Sequence, residues 1–523
     1  MRSVETVLAL VVLGTLVAAL AGRLRAPAPT LLVVAGLLVG LLPGVPTVQV
    51  TPDIIGLVVL PPLLYAASEE LPWRDVRAVW RPVATLAVGL VAVSAAAVGL
   101  VAAAVSPLSG RMAFVLGAVL ASTDPVAVTA LGRRLPLPAR VQALVSAESL
   151  FNDATSLVLF RVAVSVAVAG GALGWGHTLG EFVLLAGGGL VTGVVAGTAL
   201  VLVRRRVDDP VLETVIALVT PYAVYVLAEA AHGAGVTAVV VAGLILGSRS
   251  ERMTTGRIRL QLHAVYGTVV FLLESVVFSL IGLELPALVD AVDGGGAGWV
   301  WQALAVTATL MVVRVVWVFA LWAVTRSRQP DQVSWRVPAV VTWAGTRGVL
   351  PLAAALSIPL HTDAGGRLPQ RDLVLLLTTS VIVVTLVVQG MTLAPVVRWS
   401  GIALGPEHVR GETSRAQLRL ARAGLAYLDN LPDEVPEEAP VATVERIRRD
   451  LEAAVDSARQ RLADDRYPAT TPTEEAYRRL RREVIGAQAA ELARMFQDGE
   501  ISDGTRRTLQ RRLDLEEARL HGG

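Results

Sequence analysis

The chain has 523 residues, of which 54% are hydrophobic and only 17% are charged. The formal net charge of +2 gives no reason to expect nucleic-acid binding, and the absence of cysteine excludes disulfides, thiolate metal sites and cysteine nucleophiles. Apolar runs of roughly 18 residues or more recur between short charged loops. This pattern is typical of a polytopic membrane protein built from α-helices.

The apolar runs predict thirteen membrane spans. A signal peptide ending at residues 19–21 is the alternative for the first run, but Arg23 and Arg25 directly after it fit a cytoplasmic loop better. The predicted spans are 4–21, 28–46, 51–68, 82–105, 111–131, 140–168, 180–203, 210–230, 233–248, 264–289, 299–325, 337–360 and 372–398.

The loops between these spans alternate in charge, and positively charged loops stay in the cytoplasm. The poorly charged set holds little beyond Arg2, Arg111, Arg367 and Arg371. This alternation predicts an external N-terminus and a cytoplasmic C-terminus, which requires an odd number of spans. The basic set holds Arg23, Arg25, Arg74, Arg77, Arg81, Arg133, Arg134, Arg140, Arg204, Arg205, Arg206, Arg249, Arg252, Arg257, Arg259, Arg326, Arg328 and Arg336.

The composition changes at about residue 403, where Arg, Glu, Asp and Ala become dominant. Apolar residues then recur at spacings of three and four, which predicts amphipathic helices near 413–430, 441–464, 473–498 and 502–518. We therefore expect a transmembrane domain over residues 1–402 and a helical cytoplasmic tail over residues 403–523. Regulation or oligomerisation by the tail and a solvated appendage without a ligand both remain open.

The fifth span contains Ser122-Thr123-Asp124-Pro125 in otherwise apolar sequence. Proline removes a backbone donor and disfavours helix at the residue before it, which predicts an unwound stretch at Thr123 and Asp124. Irregular backbone at membrane depth is tolerated only where it lines a cavity or is buried in protein. Free carbonyls, a hydroxyl and a carboxylate are hard oxygen ligands suited to alkali cations or protons. The alternative is a structural proline kink with a capping aspartate.

The sixth span carries polar residues from Glu148 to Ser156. On a helix, one stripe holds Ser149, Asp153 and Ser156, and the adjacent stripe holds Glu148, Asn152 and Thr155. With a rise of 1.5 Å per residue, Asp153 lies about 20 Å and Asp124 about 14 Å from the cytoplasmic end of its span. The two aspartates are therefore expected near the midplane on neighbouring helices. An ionisable residue at that depth is costly and is a functional hypothesis by default.

Two arginines lie inside later spans. Arg314 has no charged neighbour in the eleventh span, so it is expected to form a structural ion pair across helices. Arg347 lies in Gly345-Thr346-Arg347-Gly348, which marks the twelfth span as interrupted. Interrupted spans at matching positions of two inverted repeats of six indicate a secondary transporter with a midplane site. Arg161 and Glu274 are also embedded, and structural and functional roles are both open for them.

Taken together, Thr123-Asp124-Pro125, the segment from Glu148 to Asp153 and Gly345-Thr346-Arg347-Gly348 resemble the sodium/proton antiporters. More narrowly, they resemble the bacterial form of the first monovalent cation:proton antiporter family. Pro61-Pro62-Leu63-Leu64-Tyr65 and Val388-Gln389-Gly390-Met391-Thr392 are similar to further segments of that family. The resemblance covers about residues 1–400.

The resemblance implies a dimerisation domain, a core domain that moves like an elevator, and a homodimer in the plasma membrane. Asn152 matches the Asn-Asp pair of members that exchange one sodium for one proton, and Glu148 with Arg314 matches the family's structural ion pair. Several members carry a glutamate where Ala66 stands here, which predicts weaker affinity or altered selectivity. The implied site for Na+ and H+ is centred on Asp153, with direct or water-mediated contributions from Asp124, Thr123 and Ser149.

These observations predict a transporter that exchanges a monovalent cation, Na+ first, for a proton, and neither an enzyme nor a cofactor-dependent protein. A desolvated Asp153 carboxylate is stabilised by a proton or by a cation, but the two cannot share it fully. If only occupied states cross the bilayer, the exchange is electroneutral. The alternatives are exchange of K+ or Li+, an intramembrane aspartyl protease that uses Asp124 and Asp153, and a cation channel.

Overall fold

The computed structural model divides the chain into two compact units, Met1–Ala403 and Leu404–Gly523. The all-helical class predicted from the sequence is confirmed, since the described residues are helical apart from turns, short irregular segments and one isolated bridge between His361 and Arg367. The described residues are 2–24, 28–42, 55–71, 73–124, 137–168, 175–207, 209–250, 254–292, 298–328, 334–362, 365–430, 441–463, 472–498, 500, 505, 506, 508–510, 513, 516 and 517.

Apart from the short helix Trp73–Ala78, which lies in a predicted basic loop, the helices of the first unit follow the apolar runs of the sequence. They are α1 Arg2–Leu24, α2 Ala28–Gly40, α3 Leu60–Glu69, α4 Trp73–Ala78, α5 Trp80–Val105, α6 Gly110–Leu120, α7 Ala139–Val168, α8 Trp175–Arg204, α9 Pro210–Ala230, α10 Gly235–Gly247, α11 Gly256–Val292, α12 Gly298–Arg328, α13 Arg336–Trp343, α14 Val349–Leu356 and α15 Arg371–Ser400. In the described chain, seven of these helices are long and apolar enough to cross a membrane, and five further apolar helices are shorter. The total of thirteen spans stays a prediction.

Helical structure ends inside two of the predicted spans. Helix α6 ends at Leu120, and residues 121–124 follow it without helical structure. Helix α13 ends at Trp343, residues 344–348 are irregular, and α14 begins at Val349. Pro351 lies in the first turn of α14, where a missing N–H costs no hydrogen bond. The expected continuation of the fifth span, with Pro125, Arg133 and Arg134, lies outside the described residues, as do Arg25 and Arg252.

The first unit contains two groups of packed helices. One group consists of α1, α2, α3 and α8 to α11, and the other of α5, α6, α7 and α12 to α15. The groups meet where α15 packs on α2 and α11, and where α7 packs on α8 and α10. Polar links between them include the Thr30 hydroxyl, which donates to the carbonyl of Leu386 at 3.1 Å. The interrupted helices all belong to the second group.

Helices α2 and α11 cross with their backbones in contact. A Cβ added to Gly36 would lie 2.1 Å from the carbonyl oxygen of Ser279, and one added to Gly282 would lie 2.0 Å from that of Val33. Small residues allow this approach, which drives helix association in a membrane through van der Waals contact rather than through the hydrophobic effect. These glycines therefore determine how closely the first group packs.

The second unit contains α16 Pro406–Asp429, α17 Val441–Ala463 and α18 Pro472–Gln497. Helices α16 and α17 pack against each other, and Asp429 pairs with Arg448 at 2.7 Å. Helix α16 begins earlier than the predicted residue 413, because Pro406 at its start and Glu407 in its first turn favour helix initiation. Most of the helix predicted over 502–518 lies outside the described residues.

Replacement of Gly282 by alanine is expected to destabilise the protein by about 1–3 kcal/mol, because the new methyl group would force apart two backbones already in contact. The matched control is Gly267→Ala on the same helix, where an added Cβ meets no atom within 4 Å. Thermal unfolding in detergent, followed by the loss of monodisperse protein, measures both variants. Equal melting temperatures for the two would contradict the packing described here.

Candidate functional site

The two interruptions meet each other inside the second group of helices. The backbone N–H of Asp124 donates to the carbonyl of Thr346 at 2.8 Å, and the Thr346 hydroxyl donates to the carbonyl of Asp124 at 2.8 Å. Both residues are buried. Backbone polar groups at membrane depth find no water, so each interrupted segment supplies hydrogen-bond partners to the other.

Two charged side chains form hydrogen bonds at the ends of the helices next to the interruptions. Arg347 donates from Nε to the carbonyl of Leu120 at 2.8 Å and from Nη1 to the carbonyl of Gly345 at 2.7 Å. The Asp124 carboxylate accepts a hydrogen bond from the N–H of Val349 at 3.2 Å, at the N-terminus of α14. A cation at a helix C-terminus and an anion at a helix N-terminus both complement the helix dipole. For Asp124, the sequence indicated a capping role only as the alternative to cation binding. It gave no indication of the capping role of Arg347.

Gly348 makes the position of Asp124 possible. A Cβ at residue 348 would lie 1.5 Å from Oδ2 of Asp124. Because any side chain would occupy the space of this carboxylate, glycine is required here for close approach. The Gly345-Thr346-Arg347-Gly348 motif therefore sets the position of an acidic group on another helix.

Glu148 and Arg314 form a buried ion pair between α7 and α12. Nη1 of Arg314 lies 2.6 Å from Oε1 of Glu148, and Nη2 lies 3.1 Å from Oε2, so the ion pair is bidentate. Arg314 also donates to the carbonyls of Val341 and Thr342 near the end of α13. A Cβ on Gly345 would lie 2.3 Å from Nε of Arg314, so this glycine makes room for the guanidinium group.

Asn152 fastens the unwound segment after α6 to α7. Its Nδ2 donates to the Thr123 hydroxyl at 2.6 Å, and its Oδ1 accepts from the Thr123 N–H at 3.2 Å. The Ser149 hydroxyl lies 3.4 Å from that of Thr123. An ionised aspartate has only acceptors, whereas an amide donates and accepts together. The sequence assigned Asn152 and Ser149 to two adjacent stripes of the helix. Both side chains nevertheless contact Thr123 in the unwound segment after α6.

Asp153 lies beside the unwound segment and is 4% exposed. Ser122, Asp124 and Arg347 lie close enough to act on its carboxylate electrostatically. Among the described residues, Oδ1 of Asp153 has no hydrogen-bond partner. A buried carboxylate oxygen without a donor is costly unless a proton or a cation occupies its lone pairs.

The remaining polar residues of the stretch in α7 have local partners. The Ser156 hydroxyl donates to the carbonyl of Ala118 on α6 at 2.6 Å, and the Thr155 hydroxyl donates to the carbonyl of Phe151 within its own helix. Ser149, Asp153 and Ser156 thus all face α6 or the segment that follows it. Thr155 contributes no contact to that segment.

Arg161 and Glu274 occupy different environments. Arg161 on α7 pairs with Glu229 on α9 at 2.7 Å and donates to the Tyr225 hydroxyl at 2.9 Å, which ties the two groups of helices together. Glu274 is half-buried on α11 and lies within electrostatic range of Asp124. Ala66 is half-buried on α3.

A second cluster of charges was not anticipated from the sequence, which placed Arg204 in a loop. Arg204 is the last residue of α8 and is 1% exposed. Its Nε lies 2.5 Å from Oε1 of Glu213 in the first turn of α9, and its Nη1 lies 3.5 Å from both Oε1 of Glu69 and the Tyr65 hydroxyl. The cluster ties α3, α8 and α9 together. No sequence signal separated Arg204 from its exposed neighbours Arg205 and Arg206, because burial is decided by packing.

Replacement of Arg314 by alanine is expected to cost about 3–5 kcal/mol, because Glu148 would remain buried without its partner. Asn152→Ala removes neutral hydrogen bonds only, so it is expected to cost less. The thermal stability of the purified variants measures the difference.

The matched control is the double variant Glu148→Leu/Arg314→Met, in which no buried charge is left alone. It is expected to be more stable than Arg314→Ala. If Arg314→Ala and Asn152→Ala were equally stable, the ion pair would not hold the helices in the way described.

Comparison with known proteins identifies relatives along nearly the whole chain. A family model described as sodium/hydrogen exchanger, transmembrane, matches residues 8–399. A Na+/H+ exchanger of Mycobacterium tuberculosis that is named as uncharacterised is 35% identical over 99% of this chain and 95% of its own length. The Na+/H+ antiporter ApNhaP of Aphanothece halophytica is 30% identical over 92% of this chain and 91% of its own length.

The fold is also found among solved structures. The sodium proton antiporter MjNhaP1 from Methanocaldococcus jannaschii, solved at pH 8, superposes with a TM-score of 0.60 over 76% of this chain and 98% of its own length. The sequence identity is 19%, so this likeness concerns the fold alone. The family match covers the interrupted helices and the residues between them. The chain belongs to the sodium/hydrogen exchanger family, whose members are multi-pass membrane transporters rather than enzymes.

Proposed function

We infer that this protein exchanges one Na+ for one H+ at Asp153 by alternating access. The observation that carries this proposal is the buried Oδ1 of Asp153, which has no partner among the described residues and lies beside the unwound segment that contains Thr123. A proton or a cation would each satisfy that oxygen. The two ligands compete because the carboxylate cannot be shared fully between them.

The proposed cation ligands are hard oxygen atoms from two elements. Asp153 and Ser149 are presented by α7, and Thr123 lies in the segment after α6 with Asp124 next to it. Such carboxylate, hydroxyl and carbonyl oxygens suit alkali cations. Asp124 already accepts a hydrogen bond from the start of α14, so we assign its contribution to its negative charge and to a water-mediated contact. Asn152 contributes by holding Thr123 in place.

The charges around the site support one-for-one exchange. The charges of Glu148 and Arg314 cancel in their ion pair. The positive charge of Arg347 offsets one of the two aspartates, Asp124 and Asp153, which leaves one negative charge. One proton or one monovalent cation neutralises that charge, and Asn152 adds none. A carrier that crosses the bilayer only when its site is neutral would therefore be electroneutral, because moving an uncompensated charge through hydrocarbon is costly.

The two groups of helices support an elevator-type movement. The site lies within the group formed by α5, α6, α7 and α12 to α15, and Arg161 with Glu229 is one of the polar ties to the other group. We propose that residues 1–402 perform exchange in the plasma membrane as a homodimer. The N-terminus would lie outside, and residues 403–523 would form a cytoplasmic tail. Exchange of K+ or Li+ by the same site is the second candidate, because the ligand types alone do not rank these cations and selectivity depends on ligand distances.

Replacement of Asp153 by asparagine is expected to abolish exchange while leaving the fold intact, because the amide retains the shape but cannot release a proton or balance a cation. The measurement is dequenching of a pH-sensitive dye in proteoliposomes after a Na+ pulse, together with the melting temperature. The matched control is Asp290→Asn at an exposed position of α11, which is expected to transport normally. Exchange at the normal rate by Asp153→Asn would remove the proposed role.

The wild-type rate is expected to be independent of membrane potential, because one positive charge moves in each direction. Proteoliposomes clamped at several potentials with an ionophore, and pulsed in turn with Na+, K+ and Li+, give the stoichiometry and the cation order in one series. A rate that rises or falls steadily with potential would contradict one-for-one exchange. A faster response to K+ than to Na+ would favour the second candidate.

A further inference from the structure

Helix α16 has a face that nothing in the described chain covers. Its opposite face packs on α17, where Ala421 is buried. The uncovered face carries Leu420 and Tyr427, which are 72% and 71% exposed. Ala416 and Ala423 are exposed at the intermediate positions, so the four residues form one stripe at helical spacing. We call these four residues the outer stripe of α16.

A row of arginines borders the outer stripe. Arg415, Arg419 and Arg422 are all exposed, and none of the ion pairs formed by the described residues involves them. Around the helix axis they lie on the side of the outer stripe away from Leu420. From Arg415 to Tyr427, the exposed surface of α16 therefore has a basic row along one side of the apolar stripe. Gln417 is exposed on the other side, and the acidic Glu412 is exposed one turn before Arg415. A basic row beside an apolar stripe is typical of helices that lie in the plane of a membrane surface.

The chain that connects α16 to α15 is short enough to leave the start of α16 within reach of a membrane surface. Helix α15 ends at Ser400 and α16 begins at Pro406, so five residues, 401–405, separate them. A chain of that length spans about 20 Å at most. Trp399 is 68% exposed at the end of α15, and its ring lies 5.5 Å from that of Trp335. Exposed tryptophans at the end of a span are typical of the interface between hydrocarbon and headgroups.

We propose that the outer stripe of α16 binds the bilayer surface, with Leu420 and Tyr427 at the level of the upper acyl chains and the three arginines on anionic phosphate headgroups. Guanidinium groups form forked hydrogen bonds with phosphate, and basic residues near an anionic surface each add to the attraction. Pairing of the stripe with a second copy is disfavoured, because two rows of arginines would then approach each other. The binding holds α16 and α17 against the membrane.

The absence of cysteine makes a direct test possible in the full-length protein. A nitroxide attached at Ala423→Cys reports on the outer stripe, and one attached at Ala454→Cys on an exposed position of α17 is the matched control. Both proteins are reconstituted into vesicles of phosphatidylcholine with and without phosphatidylglycerol. We expect the label at 423 to lose contact with a water-soluble relaxation agent and to gain contact with oxygen when phosphatidylglycerol is present. The label at 454 is expected to stay in water.

The charge requirement is tested with Arg415→Gln, Arg419→Gln and Arg422→Gln, alone and together. Each single change is expected to weaken the membrane-bound state about fivefold, and the triple change to remove the effect of phosphatidylglycerol. A label at 423 that stays in water in both lipids would overturn the proposal. Spin–spin broadening that is equal in both lipids would also overturn it, because a second copy would then cover the stripe. The readout does not use transport, and symmetric vesicles make it independent of orientation.

Discussion

The structure depends on one constraint, which is that backbone groups freed by breaking two helices within the membrane must find partners inside the protein. The segments 121–124 and 344–348 meet this constraint by bonding to each other through Asp124 and Thr346. Neither interruption would be tolerable alone, because each would leave donors and acceptors without partners. The crossing also brings Thr123 to the face of α7 that carries Asp153. The condition that makes the interruptions possible therefore also assembles the proposed exchange site.

The buried arginines have several partners each, which is how their charges are accommodated. Arg314 satisfies a carboxylate and two carbonyls at the end of α13, and Arg347 satisfies the carbonyls of Leu120 and Gly345. An isolated guanidinium in this environment would cost several kcal/mol, but a guanidinium with its donors occupied by carbonyl dipoles and a carboxylate is stable. Because these contacts are made by a planar group with five donors, lysine would not replace either residue.

Ion pairs are distributed differently within and between the two groups of helices in the first unit. The cluster of Arg204, Glu213 and Glu69 joins helices within one group, and the pair of Glu148 with Arg314 joins helices within the other. Between the groups, the pair of Arg161 with Glu229 is partly exposed and therefore weaker. This distribution of ion pairs is compatible with movement of one group past the other without internal rearrangement. The glycine contacts of α2 with α11 strengthen the same distinction, since they lie wholly within one group.

The sequence by itself determined the helical class and indicated where helical structure ends inside the fifth and twelfth predicted spans, because hydrophobic run length and the Gly and Pro signals are local properties. It also singled out Asp153, Asp124, Arg314 and Arg347, since charges inside apolar runs are conspicuous. Only the tertiary structure decided their partners. Asn152 holds Thr123, Gly348 makes room for Asp124, and Arg204 is buried against Glu69 and Tyr65 as well as Glu213. Contacts between different helices decide all three. No periodicity within a single helix contains that information, because it resides in how the helices cross.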